Sequence, residues 1–529
     1  MTVALLLVVL LGAVTGLSLL AKRINVPYPV AFVIGGVALA FIPGLPAMAL
    51  DPQYVFLLVL PPLLFSAGWH TDWIEFKRNR RPIALLAIGL VVFTTVVVAV
   101  VAHALMPALS WPLAFVLGAV VAPPDAIAAQ SVLERLAVPR RTAAILSGES
   151  LVNDASALVF YRFAIAAVLS GAFSLTNAAL AFVLVSIGGI AVGIVVALAF
   201  EFFQRFLTRM QLSDATLVTV LMLIAPYAAY LPAEVVHVSG VLAAVTAGIY
   251  LGRRSAKIYD SETRLIGGAF WSVFTFLLNG FVFIAIGLQL PQIVTGLSAP
   301  WHAALDAAVV SVSVIVVRVA WVFPGTYLPR VLSKRVRDRD PAPTWRTVAL
   351  VSWAGMRGIV SLAAALAIPF VDNRNMPILA RNEIVFIAFG VIFATLVVQG
   401  CTLGPLIAWL GISETSGRER QETKVRIRAL EAGLERLHGL ESSFTSTAQW
   451  EVAGRLIAEY ERRIEHLTGH LRADAENQTP QNAIDHELQG AALQAERERI
   501  TSLRGAGEIP DDVYRNIEYD LDLAQIRLS

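Results

Sequence analysis

Leu146-Ser147-Gly148-Glu149-Ser150-Leu151-Val152-Asn153-Asp154-Ala155 sets two carboxylates and a carboxamide inside a stretch, 142–170, that is otherwise apolar enough to cross a bilayer. An ionisable side chain at the centre of a membrane helix costs about 2.5–3.5 kcal/mol, so it is retained there with a partner or a task. At 3.6 residues per turn Ser150 and Asp154 fall on one stripe, and Glu149 and Asn153 on the neighbouring one. The result is a two-lane polar face suited to a small cation or a proton.

The rest of the chain agrees with a membrane setting. Its 529 residues are 57% hydrophobic and only 15% charged, with a mean hydropathy of +0.69. That composition points to an all-α polytopic membrane protein rather than a soluble domain. A net charge of +2 gives no case for a nucleic-acid partner, and a single cysteine, Cys401, excludes an intrachain disulfide framework or a thiolate metal cluster. The first apolar segment has no basic residues before it and Lys22-Arg23 after it, which reads as a first span with its N-terminus outside, not a cleaved signal.

Apolar segments recur at 3–21, 28–43, 53–69, 82–105, 111–134, 142–170, 176–204, 214–231, 236–252, 268–290, 303–328, 345–369 and 382–411, about thirteen in all. Basic residues follow the odd-numbered spans: Lys22 and Arg23, then Lys77 to Arg81, Arg135 to Arg141, Arg205 and Arg209, Arg253 to Lys257, and Arg330 to Arg339. The loops after spans two, four, six, eight and ten have no Lys or Arg; only that after span twelve (Arg374, Arg381) departs. The positive-inside rule then places the C-terminus in the cytoplasm of a plasma-membrane protein with an odd number of helices. Beyond residue 411 the chain turns rich in Glu and Arg. The segment 412–529 reads as a helical cytoplasmic tail, patterned at 425–437 and 456–471 and interrupted by Pro480 and Pro510.

Two spans carry interruptions. Ala122-Pro123-Pro124-Asp125-Ala126 in span five removes two amide donors and frees carbonyls near Ala119 and Val120. Irregular backbone at that depth needs protein or a water-filled cavity around it. Asp125 would then open the second half-helix, where a negative charge suits the dipole. In span twelve, Gly355-Met356-Arg357-Gly358 flanks a buried arginine with glycines, placing positive charge near a half-helix C-terminal end. The two breaks are offset by seven helices. Spans 1–6 (about 1–170) and 8–13 (about 214–411) therefore read as inverted repeats joined by a linker helix at about 176–204, with the broken helices crossing at the midplane.

Span eleven adds Arg318, always charged and in need of a carboxylate. Glu149 and Asp154 are the candidates; pairing with Glu149 leaves Asp154 free to titrate. Asp154, the Ser150 hydroxyl and the Pro124 carbonyl supply the oxygen ligands that a hard monovalent cation prefers. Competition between proton and cation for one carboxylate, with alternating exposure, suffices for 1:1 electroneutral exchange.

These residues resemble the monovalent cation:proton antiporter-1 family, bacterial sodium/proton antiporters related to sodium/hydrogen exchangers. The likeness covers about 1–411. It rests chiefly on Gly148-Glu149-Ser150-Leu151-Val152-Asn153-Asp154-Ala155, with Leu60-Pro61-Pro62-Leu63-Leu64-Phe65, the 123–128 stretch and Gly355-Met356-Arg357-Gly358-Ile359-Val360-Ser361 in support. The resemblance implies Asp154 as the cation- and proton-binding aspartate and Asn153 as the asparagine associated with electroneutral exchange. It implies Ser150 as an ion ligand, Glu149 as the partner of Arg318, and Asp125 and Arg357 as the charges balancing the crossed half-helices. It further implies a homodimer in lipid, with monovalent cations and protons as substrates, no cofactor and no enzymatic step. Two departures stand out. Pro124-Asp125-Ala126 replaces the family's common Thr-Asp-Pro, and Ser66 stands where relatives are often acidic. Motifs alone do not separate Na+ from Li+ or K+. A channel or tail-coupled sensor would need a continuous polar lining or repeated filter, and neither is visible.

Overall fold

The computed structural model describes residues 3–42, 51–125, 128–130, 138–171, 175–212, 214–297, 299–340, 342–371, 373, 375–378, 380–412, 415–443, 445–476, 481–505, 517–518, 521–522 and 525. These are helical nearly throughout. Among them no strand forms; a single isolated bridge joins Val371 to Pro377. The chain separates into two compact units, 1–413 and 414–529.

In the first unit, α1 (Val3–Arg23), α2 (Tyr28–Ala40) and α3 (Pro52–Trp69) come first. They are followed by α4 (Arg80–Leu105), α5 (Trp111–Val121) and α6 (Arg140–Ser170). Then come α7 (Leu175–Arg209), α8 (Ala215–Val235), α9 (Gly240–Ile258) and α10 (Ser261–Leu288). The unit closes with α11 (Pro300–Leu332), the half-helices α12 (Trp345–Trp353) and α13 (Ile359–Leu366), and α14 (Arg381–Leu410). Among the described residues eight helices are long and apolar enough to cross a membrane, and α2 and α5 are shorter apolar helices. The second half of span five lies largely outside the described residues.

The helices pack in two groups. One gathers α3 on α9, α2 on α10, and α7 and α8 on α9; the other gathers α4, α5 and α6 with α11, α13 and α14. Within lipid, tails are as apolar as leucine, so close backbone approach and small residues drive association. Gly248 and Gly252 of α9 show this: a Cβ on either would meet the carbonyl oxygen of Phe65 or Trp69 at 2.3 and 2.4 Å. The opposite case is α7, with only 11% of its most apolar window buried. Its exposed Leu184, Ile187, Ile194 and Leu198 suit contact with lipid.

The tail unit contains α15 (Thr415–Leu440), α16 (Thr447–Glu476) and α17 (Gln481–Gly505). α15 lies on α16, where Gly433 admits the ring of Tyr460. Pro480 and Pro510 fall outside the described residues.

Candidate ion-binding site

The polar face of α6 is buried in full: Glu149, Ser150, Asn153 and Asp154 all lie inside the bundle. Two stripes of one helix thus meet two different neighbours. Glu149 takes the Arg318 guanidinium across a bidentate contact, Nη1 to Oε1 at 2.5 Å and Nη2 to Oε2 at 2.8 Å. Both side chains are sealed from solvent, at 0% and 1% exposure. Arg318 also donates to the Val351 carbonyl from Nε (3.2 Å) and Nη2 (3.1 Å). Val351 sits in the last turn of α12, where carbonyls have no partner within the helix. Gly355 is small because it must be: a Cβ there would lie 2.4 Å from Arg318 Cδ.

The two interruptions touch directly. The Asp125 amide donates to the Met356 carbonyl at 2.6 Å. Arg357, fully buried, donates from Nε to the Val121 carbonyl at 3.1 Å and from Nη2 toward Ala122 at 3.5 Å. Its Nη1 bonds to the Gly355 carbonyl. Sequence reasoning placed Arg357 near the C-terminal end of its own helix and Asp125 at the start of its own. The structure adds for each an attachment across the crossing, while Arg357 keeps its bond to Gly355 in its own break. Arg357 serves the exposed carbonyls that end α5, while the Asp125 carboxylate lies against Gly358, the residue that opens α13; a Cβ on Gly358 would fall 1.5 Å from Oδ2. Each charge therefore complements the dipole of the other broken helix. Besides Ala119 and Val120, which lose their donors to the two prolines, the Val121 and Ala122 carbonyls are free of helical partners among the described residues and face Arg357.

Asp154 and Ser150 line a cavity of about 40 Å³ together with Pro123, Pro124 and Asp125 on one side and 358–361 on another. Leu60, Leu63, Leu64 and Ala67 of α3 close it. A water needs about 10–15 Å³ on this measure, so an ion with one or two waters fits. Asp154 is 8% exposed and has no ion-pair partner among the described residues. The Pro124 carbonyl is not wholly available as a ligand. It accepts from Asn153 Nδ2 at 2.8 Å and, at the 3.5 Å limit, from the Ser150 hydroxyl. A carbonyl has two lone pairs, and the second becomes available to a cation only when the Ser150 hydroxyl, already at the limit of a hydrogen bond, turns away.

Two buried arginines, a paired glutamate on α6 and two further carboxylates thus gather where the two interrupted helices cross. A family model described as sodium/hydrogen exchanger, transmembrane, matches residues 6–409. The chain belongs to that family. This exchanger is 33% identical over 535 residues to an uncharacterized Na(+)/H(+) exchanger of Mycobacterium tuberculosis, a match covering 99% of this chain and 95% of the relative. A sodium, potassium, lithium and rubidium/H(+) antiporter of Bacillus subtilis is 30% identical over 505 residues, 92% of this chain and 72% of that one. In fold the exchanger resembles the sodium proton antiporter MjNhaP1 from Methanocaldococcus jannaschii, with TM-score 0.57 at 19% identity over 78% of this chain and 99% of that one. Membership makes the chain a membrane transporter and not an enzyme.

Several polar contacts of the exchanger were not legible beforehand. Arg162 bonds Glu234 Oε2 at 2.8 Å and so joins α6 to α8. Glu201 of α7 receives Arg254 at 2.8 Å, Arg205 at 2.5 Å and the Tyr250 hydroxyl at 2.7 Å. Only the Glu201–Arg205 spacing of four was visible as a helical pair. Thr395 accepts from the Arg357 amide at 3.1 Å, which anchors the interruption to α14.

Proposed function

We propose that this exchanger carries Na+ against H+ by competition at Asp154, with alternating exposure of the cavity to the two sides. The charge balance of the buried site supports this reading most directly. Arg318 is matched by Glu149, and the opposite charges of Arg357 and Asp125 on the crossed helices cancel in the sum, which leaves Asp154 as one uncompensated carboxylate. One negative charge takes either one proton or one monovalent cation, so the cycle is electroneutral at 1:1. Ser150 and the lone pair it releases on the Pro124 carbonyl assist as ligands. Asn153 holds that carbonyl in place and adds no charge.

The membrane domain is 1–411 with about thirteen crossings, in inverted repeats of about 1–170 and 214–411 around a linker helix. Its N-terminus is outside and the tail, 412–529, is cytoplasmic. The α4–α6 and α11–α14 group moves against the other, which forms a homodimer in the plasma membrane. Export of Na+ and control of internal pH are the physiological roles. A second reading includes K+ and Li+ as substrates, favoured by the Bacillus subtilis relative, named for sodium, potassium, lithium and rubidium.

The deciding experiment is exchange in proteoliposomes with an internal pH dye. Wild type collapses a pH gradient on addition of Na+, whereas Asp154→Asn does not. A valinomycin-imposed potential leaves the wild-type rate unchanged. Retained exchange in the Asn variant sinks the assignment of Asp154, and potential-driven exchange sinks the 1:1 stoichiometry.

A further inference from the structure

The hydroxyl of Ser361 is a second unexplained feature of the cavity. Serine and threonine inside a helix ordinarily bond back to the carbonyl four residues earlier. In this exchanger Ser352 does so to Val348 at 2.8 Å, Ser311 to Ala307 at 2.6 Å, and Thr395 to Val391 at 2.8 Å. Ser361 cannot. It is the third residue of α13, and four residues back lies Arg357, in the non-helical interruption. Its Oγ is buried with no hydrogen-bond partner among the described residues, and the residue is 1% exposed. A buried hydroxyl left unpaired costs about 1–3 kcal/mol, so its environment calls for something that binds it.

Ser361 lines the same cavity as Asp154 and Ser150, from a different wall. We propose that the Ser361 hydroxyl is a ligand for the transported cation, completing across the cavity a set begun by Asp154 and Ser150 on α6, and that it helps to rank monovalent cations. This rests on the reading of Asp154 as the cation site. The chemistry fits: a hydroxyl oxygen suits a hard cation, and ligands on two separate helices make the span between walls a measure of ion size. The N-terminal end of α13 would by itself repel a cation. The Asp125 carboxylate packed on Gly358 offsets that field where Ser361 needs it offset. Ser66, at a position often acidic in the resembled family, is not in the lining, so α3 contributes only apolar groups to this cavity.

The test is cation-dependent exchange by the full-length protein in proteoliposomes with Na+, Li+, K+ and Rb+, comparing wild type, Ser361→Ala, Ser361→Thr, Ser352→Ala and Asp154→Asn. In Ser361→Ala the apparent KM for the preferred cation rises about fivefold, more than kcat changes, and the ranking of cations flattens. Ser361→Thr, which keeps the hydroxyl, preserves the ranking, and Ser352→Ala, whose hydroxyl is already bonded, behaves as wild type. Unchanged KM and ranking in Ser361→Ala overturn the proposal, as does a uniform loss for all four cations, which marks a packing role. Exchange surviving in Asp154→Asn overturns the underlying site instead. A silent Asp154→Asn beside an unaltered Ser361→Ala removes Ser361 alone.

Discussion

Breaking the Glu149–Arg318 pair is the most demanding test of how the site is held. Both side chains are sealed from solvent and joined by two charge-assisted bonds. Glu149→Met leaves Arg318 charged, buried and without its carboxylate. Removing one partner of such a pair costs about 3–5 kcal/mol, because the remaining charge stays uncompensated. Arg318→Met costs a similar amount, and it also strips both donors from the Val351 carbonyl. Replacing the pair by Glu149→Met with Arg318→Met removes both charges at once. What remains is the unbonded Val351 carbonyl, worth about 1–3 kcal/mol. The singles thus sum to about 6–10 kcal/mol while the double loses far less, a coupling of at least about 3 kcal/mol. Unfolding titrations in mixed detergent micelles on all four proteins measure each corner of the cycle under refolding conditions. The double variant is expected to be more stable than either single. Wild-type stability in Glu149→Met, or a coupling below about 1 kcal/mol, would refute the view that these charges are held for each other.

Three further outcomes are expected. Gly358→Ala has no room, since its Cβ would overlap the Asp125 carboxylate; exchange is lost and stability falls by about 1–3 kcal/mol, read from transport and unfolding on one preparation. Asp260 caps α10 by accepting from the Thr263 amide at 2.8 Å, and hydrogen bonds from the Thr263 side chain and backbone hold its carboxyl below the usual range. Its contribution is therefore present above the unfolded value of about 3.9 and lost as pH falls through the lower folded value; the gap between wild type and Asp260→Ala, at the low end of about 0.5–2 kcal/mol, is flat from about pH 5 to 8 and closes in acid. Glu234→Gln loosens a pair whose arginine is 50% exposed. Stability drops by less than about 1 kcal/mol, and the difference shrinks in about 1 M salt.

The membrane character and the polar face of α6 followed from local properties. Hydropathy is a sum over one segment, the Lys and Arg alternation counts loops, and the 3.6-residue period alone puts Glu149 and Asp154 on adjacent stripes. The double proline at 123–124 and the glycines at 355 and 358 announced the two breaks for the same reason, since each acts on its own backbone. Even the pairing of Arg318 narrowed to two carboxylates by the cost of an unpaired charge.

Which groups met across the bundle was settled by packing. Arg318 and Glu149 are 169 residues apart, and only the seating of α11 against the site chose Glu149 over Asp154. That choice is what makes Asp154 the odd charge. The attachments of Asp125 and Arg357 across the crossing depend on how two interrupted helices meet, a geometry no single helix encodes. Ser361 shows the same division. As the last residue of the 355–361 motif it shows nothing of its surroundings in the sequence, yet the break at Arg357-Gly358 removes its usual acceptor, and the crossing turns it into the cavity that holds Asp154.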